Sequence, residues 1–281
     1  MQRALAIIVM LALTGCSSFL YYPTQHQYVI TEKLPVQPED VYFPSENGTQ
    51  LHAWMFKSPT DKPKATVIHF HGNGQNLTAQ FFFTYWMLEH DIDLFVFDYE
   101  GYGKSQGKPS PRGTLEDGKA ALRYIQSHKR DSPLVIFGQS LGGAIALRVA
   151  GELRDEIPYK AVVVDSTFHS YKEAARKVLN NSWITWPFQW LSYLVLSDKW
   201  GPEDYIGRIS PRPLLVVHGT NDKTVAFSLG QKVFDLANPP KEFWEIKGGV
   251  HTDFMMRENR KYQKLLADWI ITKANETQKL N

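Results

Sequence analysis

The sequence predicts an α/β protein built on a doubly wound, mostly parallel sheet, and three observations carry that expectation. Short β-branched or aromatic runs recur as ATVIHF (65–70), DLFVFD (93–98), PLVIFG (133–138), AVVVD (161–165), PLLVVHG (213–219) and EFWEI (242–246). Helix-length segments separate most of them, near 77–90, 114–129, 140–154, 225–237 and 256–274. Most of the runs are apolar almost throughout, as strands buried on both faces are. A β-then-α rhythm of this kind lays strands parallel, with helices on both sides.

Composition agrees. The 281 residues are 43% hydrophobic and 21% charged, with 19 glycines and 16 prolines, which excludes a disordered or collagen-like chain. The length suffices for one large domain with a substantial core. Thirty-one basic against 29 acidic residues leave a formal charge of +2 with no long basic run, which argues against nucleic acid as a partner. Aromatic residues reach 13%, which favours apolar ligands or surfaces. Cys16 is the only cysteine, so no intrachain disulfide can form.

From the N-terminus, Arg3 precedes an unbroken apolar run over 4–13, too short to span a bilayer comfortably but suited to the core of a signal peptide. It ends in Leu13-Thr14-Gly15-Cys16, which resembles the lipobox of bacterial lipoproteins. The resemblance implies cleavage before Cys16 and acylation of that cysteine, several acyl chains giving a stable anchor. Ser17, rather than Asp, implies the outer membrane if the envelope is Gram-negative. The expected organisation is a signal peptide over 1–15, a lipid-anchored tether over 16–39 containing Pro23, Pro35 and Pro38, and one domain over 40–281. The expected location is the cell envelope, with the membrane as partner and no obligate protein partner.

Within the domain, Asn47-Gly48 between two alternating runs predicts a hairpin over 40–57. Thr114 followed by Asp117 reads as a capping box with Asp in place of Glu or Gln. Residues 169–212 are too long for an ordinary connection and read as a small helical lid. That insert holds Trp183, Trp186, Trp190 and Trp200; Trp183 and Trp186 are candidates to line a substrate pocket.

The chemistry centres on Gly138-Gln139-Ser140-Leu141-Gly142, a G-x-S-x-G pentapeptide between a strand and an apolar helix. A serine there stands on a strained turn with a helix N-terminus behind it, placed to act as a nucleophile. Its hydroxyl needs a base, and the base needs a carboxylate to orient it. The order that accompanies this pentapeptide is serine, acid, histidine. Downstream lie only His169, His218 and His251. His251, in a loop before the last helix, is the best base; His218 ends a strand and reads as a support for the next loop. Asp222, three residues past a strand end, is the first choice of acid, Asp165 the runner-up, and Asp253 reads as a cap. His69-Phe70-His71-Gly72-Asn73-Gly74 supplies a glycine-rich loop whose Asn73 N–H, or failing that Gly74 N–H, joins the Leu141 N–H as an oxyanion hole. His69 and His71 sit at alternate positions, but no acidic or cysteine cluster accompanies them, so no metal is expected. No cofactor is needed.

Together these residues resemble the α/β-hydrolase superfamily, and within it the ABHD13/Bem46-like serine hydrolases. The matching stretches are HFHGNG (69–74), FDYEGYGKSQGKPSPRG (97–113), FGQSLGGAIAL (137–147), DSTFHSY (165–171), LLVVHGTND (214–222) and GGVHTDF (248–254). The resemblance implies an eight-stranded sheet of order 1-2-4-3-5-6-7-8, carries Ser140, Asp222 and His251 over as a triad, and implies ester or thioester hydrolysis of a small acyl substrate through an acyl-enzyme. Two departures, Glu100 in place of Arg and Gly74-Gln75-Asn76 in place of Ala-Gly-Asn, fall where they would reshape the pocket edge. A serine peptidase of the same fold and a binding lipoprotein with a vestigial triad are the competing expectations.

Overall fold

A computed structural model describes residues 21–180, 187 and 189–276. Eight strands form the main sheet: β1 (Glu39–Pro44), β2 (Gln50–Phe56), β3 (Ala65–Phe70), β4 (Ile92–Phe97), β5 (Leu134–Gln139), β6 (Ala161–Asp165), β7 (Leu214–Gly219) and β8 (Lys241–Ile246). Their order is β1-β2-β4-β3-β5-β6-β7-β8. Only the β1–β2 and β2–β4 pairings are antiparallel. The predicted hairpin is present, turning at Gly48 with φ +88°.

The sheet is buried on both sides because each central strand is apolar on both. Ile68, Phe70, Ile136, Val162 and Val216 face one core, which α2 (Pro111–His128) and α3 (Leu141–Leu153) cover. Val67, Val135, Phe137, Val163 and Val217 face the other, packed beneath α1 (Leu77–Gln80) and the last helix. Alternate residues thus serve opposite layers. Between β6 and β7 the insert holds α4 (Tyr171–Asn180), α5 (Leu191–Val195) and α6 (Glu203–Ile206); α7 (Phe227–Leu236) precedes β8 and α8 (Lys261–Asn275) follows it.

Three local expectations change. The segment near 77–90 is not one helix but α1 followed by two 3₁₀ turns, Phe81–Phe83 and Tyr85–His90. The first long helix starts at Pro111, whose lost N–H costs nothing there, and Ser110 caps it by accepting the Gly113 N–H at 2.9 Å. Thr114 is therefore inside α2. Asp117 is not a cap residue: it is buried and accepts from the Ser45 hydroxyl (2.6 Å) and the Glu100 N–H (2.9 Å).

The stretch read as a tether lies, from Tyr21 to residue 39, against the domain. Tyr21 is buried, and its hydroxyl meets that of Thr114 at 3.2 Å. Tyr22–Pro23 runs parallel to Gly74–Gln75, and the Asn76 amide donates to the Thr24 and His26 carbonyls. The Gly74-Gln75-Asn76 departure therefore holds this N-terminal strap. Glu100 likewise turns away from the cleft described below, accepting from Asn47 at 2.6 Å beneath the hairpin.

Candidate active site

The C-terminal ends of β3, β5 and β7 converge on one opening, where ligands gather in sheets of this kind. Ser140 stands between β5 and α3 with φ +51°, ψ −120°, a conformation a side chain seldom adopts. The flanking glycines make it possible. A Cβ on Gly142 would lie 2.1 Å from the Phe70 carbonyl oxygen, and one on Gly138 would lie 2.7 Å from the Gly143 Cα. Backbone cannot yield at either point.

Ser140 Oγ lies 3.1 Å from His251 Nε2, and His251 Nδ1 lies 2.7 Å from Asp222 Oδ2. Three residues from three separate loops are thus in one hydrogen-bonded row. Asp222 Oδ1 accepts the N–H groups of Thr224 (2.8 Å) and Val225 (2.9 Å). Burial pushes its carboxyl up, but bonds from His218, His251 and Val225 outweigh burial and hold it well below the usual carboxylate range. It is therefore ionised at any working pH, and the ring N–H it accepts leaves Nε2 as the lone-pair nitrogen facing Ser140. Such a row can move the serine proton onto the imidazole as a carbon–oxygen bond forms.

The rival acid is otherwise engaged. Asp165 accepts from Gln139 Nε2 (3.0 Å) and from the Ser166 hydroxyl (2.9 Å), while its carbonyl takes the Ser140 N–H (2.9 Å). Burial raises its carboxyl to about 6. Gln139 donates through its amide, so its oxygen accepts from His69 Nε2 at 3.2 Å, and Ser166 in turn accepts the Thr252 N–H at 3.1 Å. A buried chain of bonds therefore runs under Ser140 from His69 to the residue after His251. Sequence reasoning did not find it, since Ser166, with φ +53°, carries no spacing signal. Burial keeps His69 neutral, pushing its ring down to about 3 against the opposing effect of the Gln139 bond.

His69 and His71 do not act as a pair. His69 packs on Phe137, whereas His71, past the end of β3, packs between Tyr99 and Tyr102. His218 Nε2 donates to the Val225 carbonyl (2.9 Å) and so closes the Asp222 loop, as expected of it. His169 lies apart, in a polar depression with Glu173 and Asp198. Asp253 caps no long helix; it accepts from Val250 N–H (3.0 Å) and Arg257 (2.8 Å), closing the His251 loop.

Asn73 and Leu141 both line the cleft beside Ser140. Among the described residues neither N–H has an acceptor within the protein. Asn73 is held from behind: its carbonyl accepts from Tyr102 (2.7 Å), and its side-chain oxygen accepts from the Tyr22 N–H (3.0 Å). The cleft itself is about 460 Å³ and almost wholly apolar, walled by Phe168, Ala174, Val178, Leu191, Val195 and Val225. Trp183 and Trp186, and likewise Cys16, lie outside the described residues.

Residues 61–206 match the family described as serine aminopeptidase, S33. The chain belongs to that family. This hydrolase is 36% identical over 264 residues to the uncharacterized protein YfhR of Escherichia coli K12, covering 92% of this chain and 88% of that one. It is 28% identical to the lysophosphatidylserine lipase ABHD12 of Macaca fascicularis, over 65% of this chain and 48% of that protein. Among solved structures it resembles the Pyrococcus furiosus esterase Pf2001, with TM-score 0.74 and 18% identity over 91% of this chain and 99% of that chain. The α/β-hydrolase fold expected from the motifs is thus shown, and the chain is a hydrolase by family.

Proposed function

We propose that this hydrolase is a serine esterase that cleaves carboxylic ester or thioester bonds of acyl substrates. The observation that carries the reading is the row from Ser140 through His251 to Asp222, opening into an apolar cleft. Ser140 Oγ attacks the acyl carbonyl while His251 Nε2 takes its proton. The imidazolium, steadied by Asp222, returns that proton to the departing alcohol or thiol as the acyl–oxygen or acyl–sulfur bond breaks. Water then attacks the acyl-enzyme, gives a proton to His251, and releases the acid with Ser140 restored. The Asn73 and Leu141 N–H groups hold the oxyanion at each tetrahedral stage, one such donor contributing about 3 kcal/mol. Residues 1–15 are removed and Cys16 is acylated, so that the enzyme works at a membrane of the cell envelope.

The family description names an aminopeptidase, and peptide cleavage is the second reading. The described residues lining the cleft include no acidic side chain to meet a charged amine, which favours an acyl group. A fluorophosphonate probe tests the enzyme itself: labelling of the wild type and none of Ser140→Ala is expected. Equal labelling of both, or none of either, would leave only the binding-lipoprotein reading. A panel of esters and aminoacyl amides then separates the two hydrolase readings.

A further inference from the structure

The walls of the cleft continue onto the outer surface. Val178 on α4 and Val195 on α5 line the cleft and are also 54% and 49% exposed. Beside them Trp190, Tyr193 and Leu194 are exposed at 55%, 47% and 71%. Tyr193 is tied to Glu173 on α4, so the two helices present one face. An apolar patch of this make-up, aromatic and continuous with a binding cleft, marks an interaction surface.

The N-terminal strap says what lies opposite. Tyr22 is bonded to Asn73 in the cleft wall, and the buried Tyr21 hydroxyl lies against that of Tyr171, the first residue of α4. Cys16 stands only five residues before Tyr21. Even fully extended, that stretch reaches about 18 Å. Whatever bilayer holds Cys16, or the apolar run before it, is thus kept within a short distance of the cleft mouth.

We propose that the α4–α5 face lies on the bilayer that holds the N-terminus, so that the cleft opens directly onto the lipid. This rests on the membrane-anchor reading given above. Trp190, Tyr193 and Leu194 enter the interfacial layer, where Trp and Tyr are favoured. Val178 and Val195 then form an apolar ramp from the acyl layer to Ser140. The substrate class is an acyl ester already dissolved in that membrane, taken sideways without crossing water.

The test uses the full chain, recovered from membranes and reconstituted in phosphatidylethanolamine–phosphatidylglycerol vesicles. Leu194→Cys is labelled with a nitrobenzoxadiazole, as is Ser127→Cys at the far end of α2; the wild type, with only Cys16, gives the background. Spin-labelled lipid should quench the label at 194 at least about threefold more than the label at 127. Equal quenching overturns the proposal. So does a label at 194 that is shielded from lipid in a chain that crosslinks to a second copy.

Trp190→Asp with Leu194→Asp supplies the second measurement. Hydrolysis of p-nitrophenyl butyrate in solution should be unchanged, and hydrolysis of p-nitrophenyl palmitate dissolved in the vesicles should fall about fivefold or more. Equal loss on both esters overturns the proposal, because the patch would then serve the fold. A wild type that cleaves neither ester but keeps the quenching difference supports the docking face while overturning the esterase reading.

Discussion

His218 Nε2 lies 3.4 Å from Asp222 Oδ2, the same oxygen that accepts the His251 Nδ1–H at 2.7 Å. Two imidazoles thus flank one carboxylate oxygen: His218 gives its Nε2–H to the Val225 carbonyl, and only His251 faces Ser140. The arrangement fixes both the charge of Asp222 and the direction of its lone pairs. Asp222→Asn should reverse the favoured His251 tautomer and lower kcat about 10⁴-fold with the fold intact. His218→Phe removes a support rather than a partner of Ser140. It should lower kcat about tenfold with KM nearly unchanged, as loss of an interaction made in the transition state does. Steady-state kinetics on one chromogenic ester checks both.

The Asn73 loop gives a separate prediction. Tyr102 donates to the Asn73 carbonyl at 2.7 Å, so Tyr102→Phe frees the loop without touching the cleft lining. We expect kcat to fall about tenfold, less than the loss of an oxyanion donor outright. The circular dichroism spectrum and melting curve should stay close to wild type.

On the esterase reading, the depth of the apolar cleft sets the acyl length that is accepted. Ala174 lines it from α4, and Ala174→Phe would fill the space a long chain needs. Hydrolysis of octanoyl and longer esters should drop more than about tenfold relative to acetyl esters, several methylenes being worth about 0.8 kcal/mol each. Chain-length profiles of the two proteins check this. Truncating Trp183 or Trp186 asks the same question of the two tryptophans singled out in the sequence.

Asp117 makes stability depend on pH. Burial raises its carboxyl to about 7, against the bonds from Glu100 and Ser45. Below about pH 4 it is protonated folded and unfolded alike, so it costs nothing. As pH rises from about 4 to 7 the unfolded chain releases a proton that the folded chain keeps, and stability falls through that window. Asp117→Asn, whose amide the Ser45 hydroxyl can turn to accept, should remove on the order of 2–4 kcal/mol of this loss. Urea unfolding of both proteins at pH 5 and pH 8 reads it: the variant should gain on the wild type at the higher pH.

Labelled palmitate tests the anchor. Incorporation into the wild type and none into Cys16→Ala is expected; label retained by the variant would point to another attachment.

The central strands were readable because burial on both faces demands uninterrupted apolar runs, and those runs match β3 to β7 within a residue or so. Ser140 was readable because a strained turn demands glycines at fixed positions around it. Supports were harder to see. Tyr22 and Tyr102 reach Asn73 from 51 and 29 residues away, and no local pattern marks a bond of that span. Asp117 misled for the opposite reason: its spacing from Thr114 imitates a cap, while its partners, Ser45 and Glu100, are distant in sequence. Residues 21–39 read as a tether because their prolines and polar side chains hide how closely Tyr21 packs.

The two outer strands of the sheet have a consequence for assembly. β1 exposes Glu39 and Asp40 and ends in Pro44, and β8 exposes Glu242 and Glu245. Charges and proline along an open edge make it a poor template for another strand. The molecule is thus guarded on its flanks against lengthening its sheet into a fibre, even when many copies are crowded side by side in two dimensions.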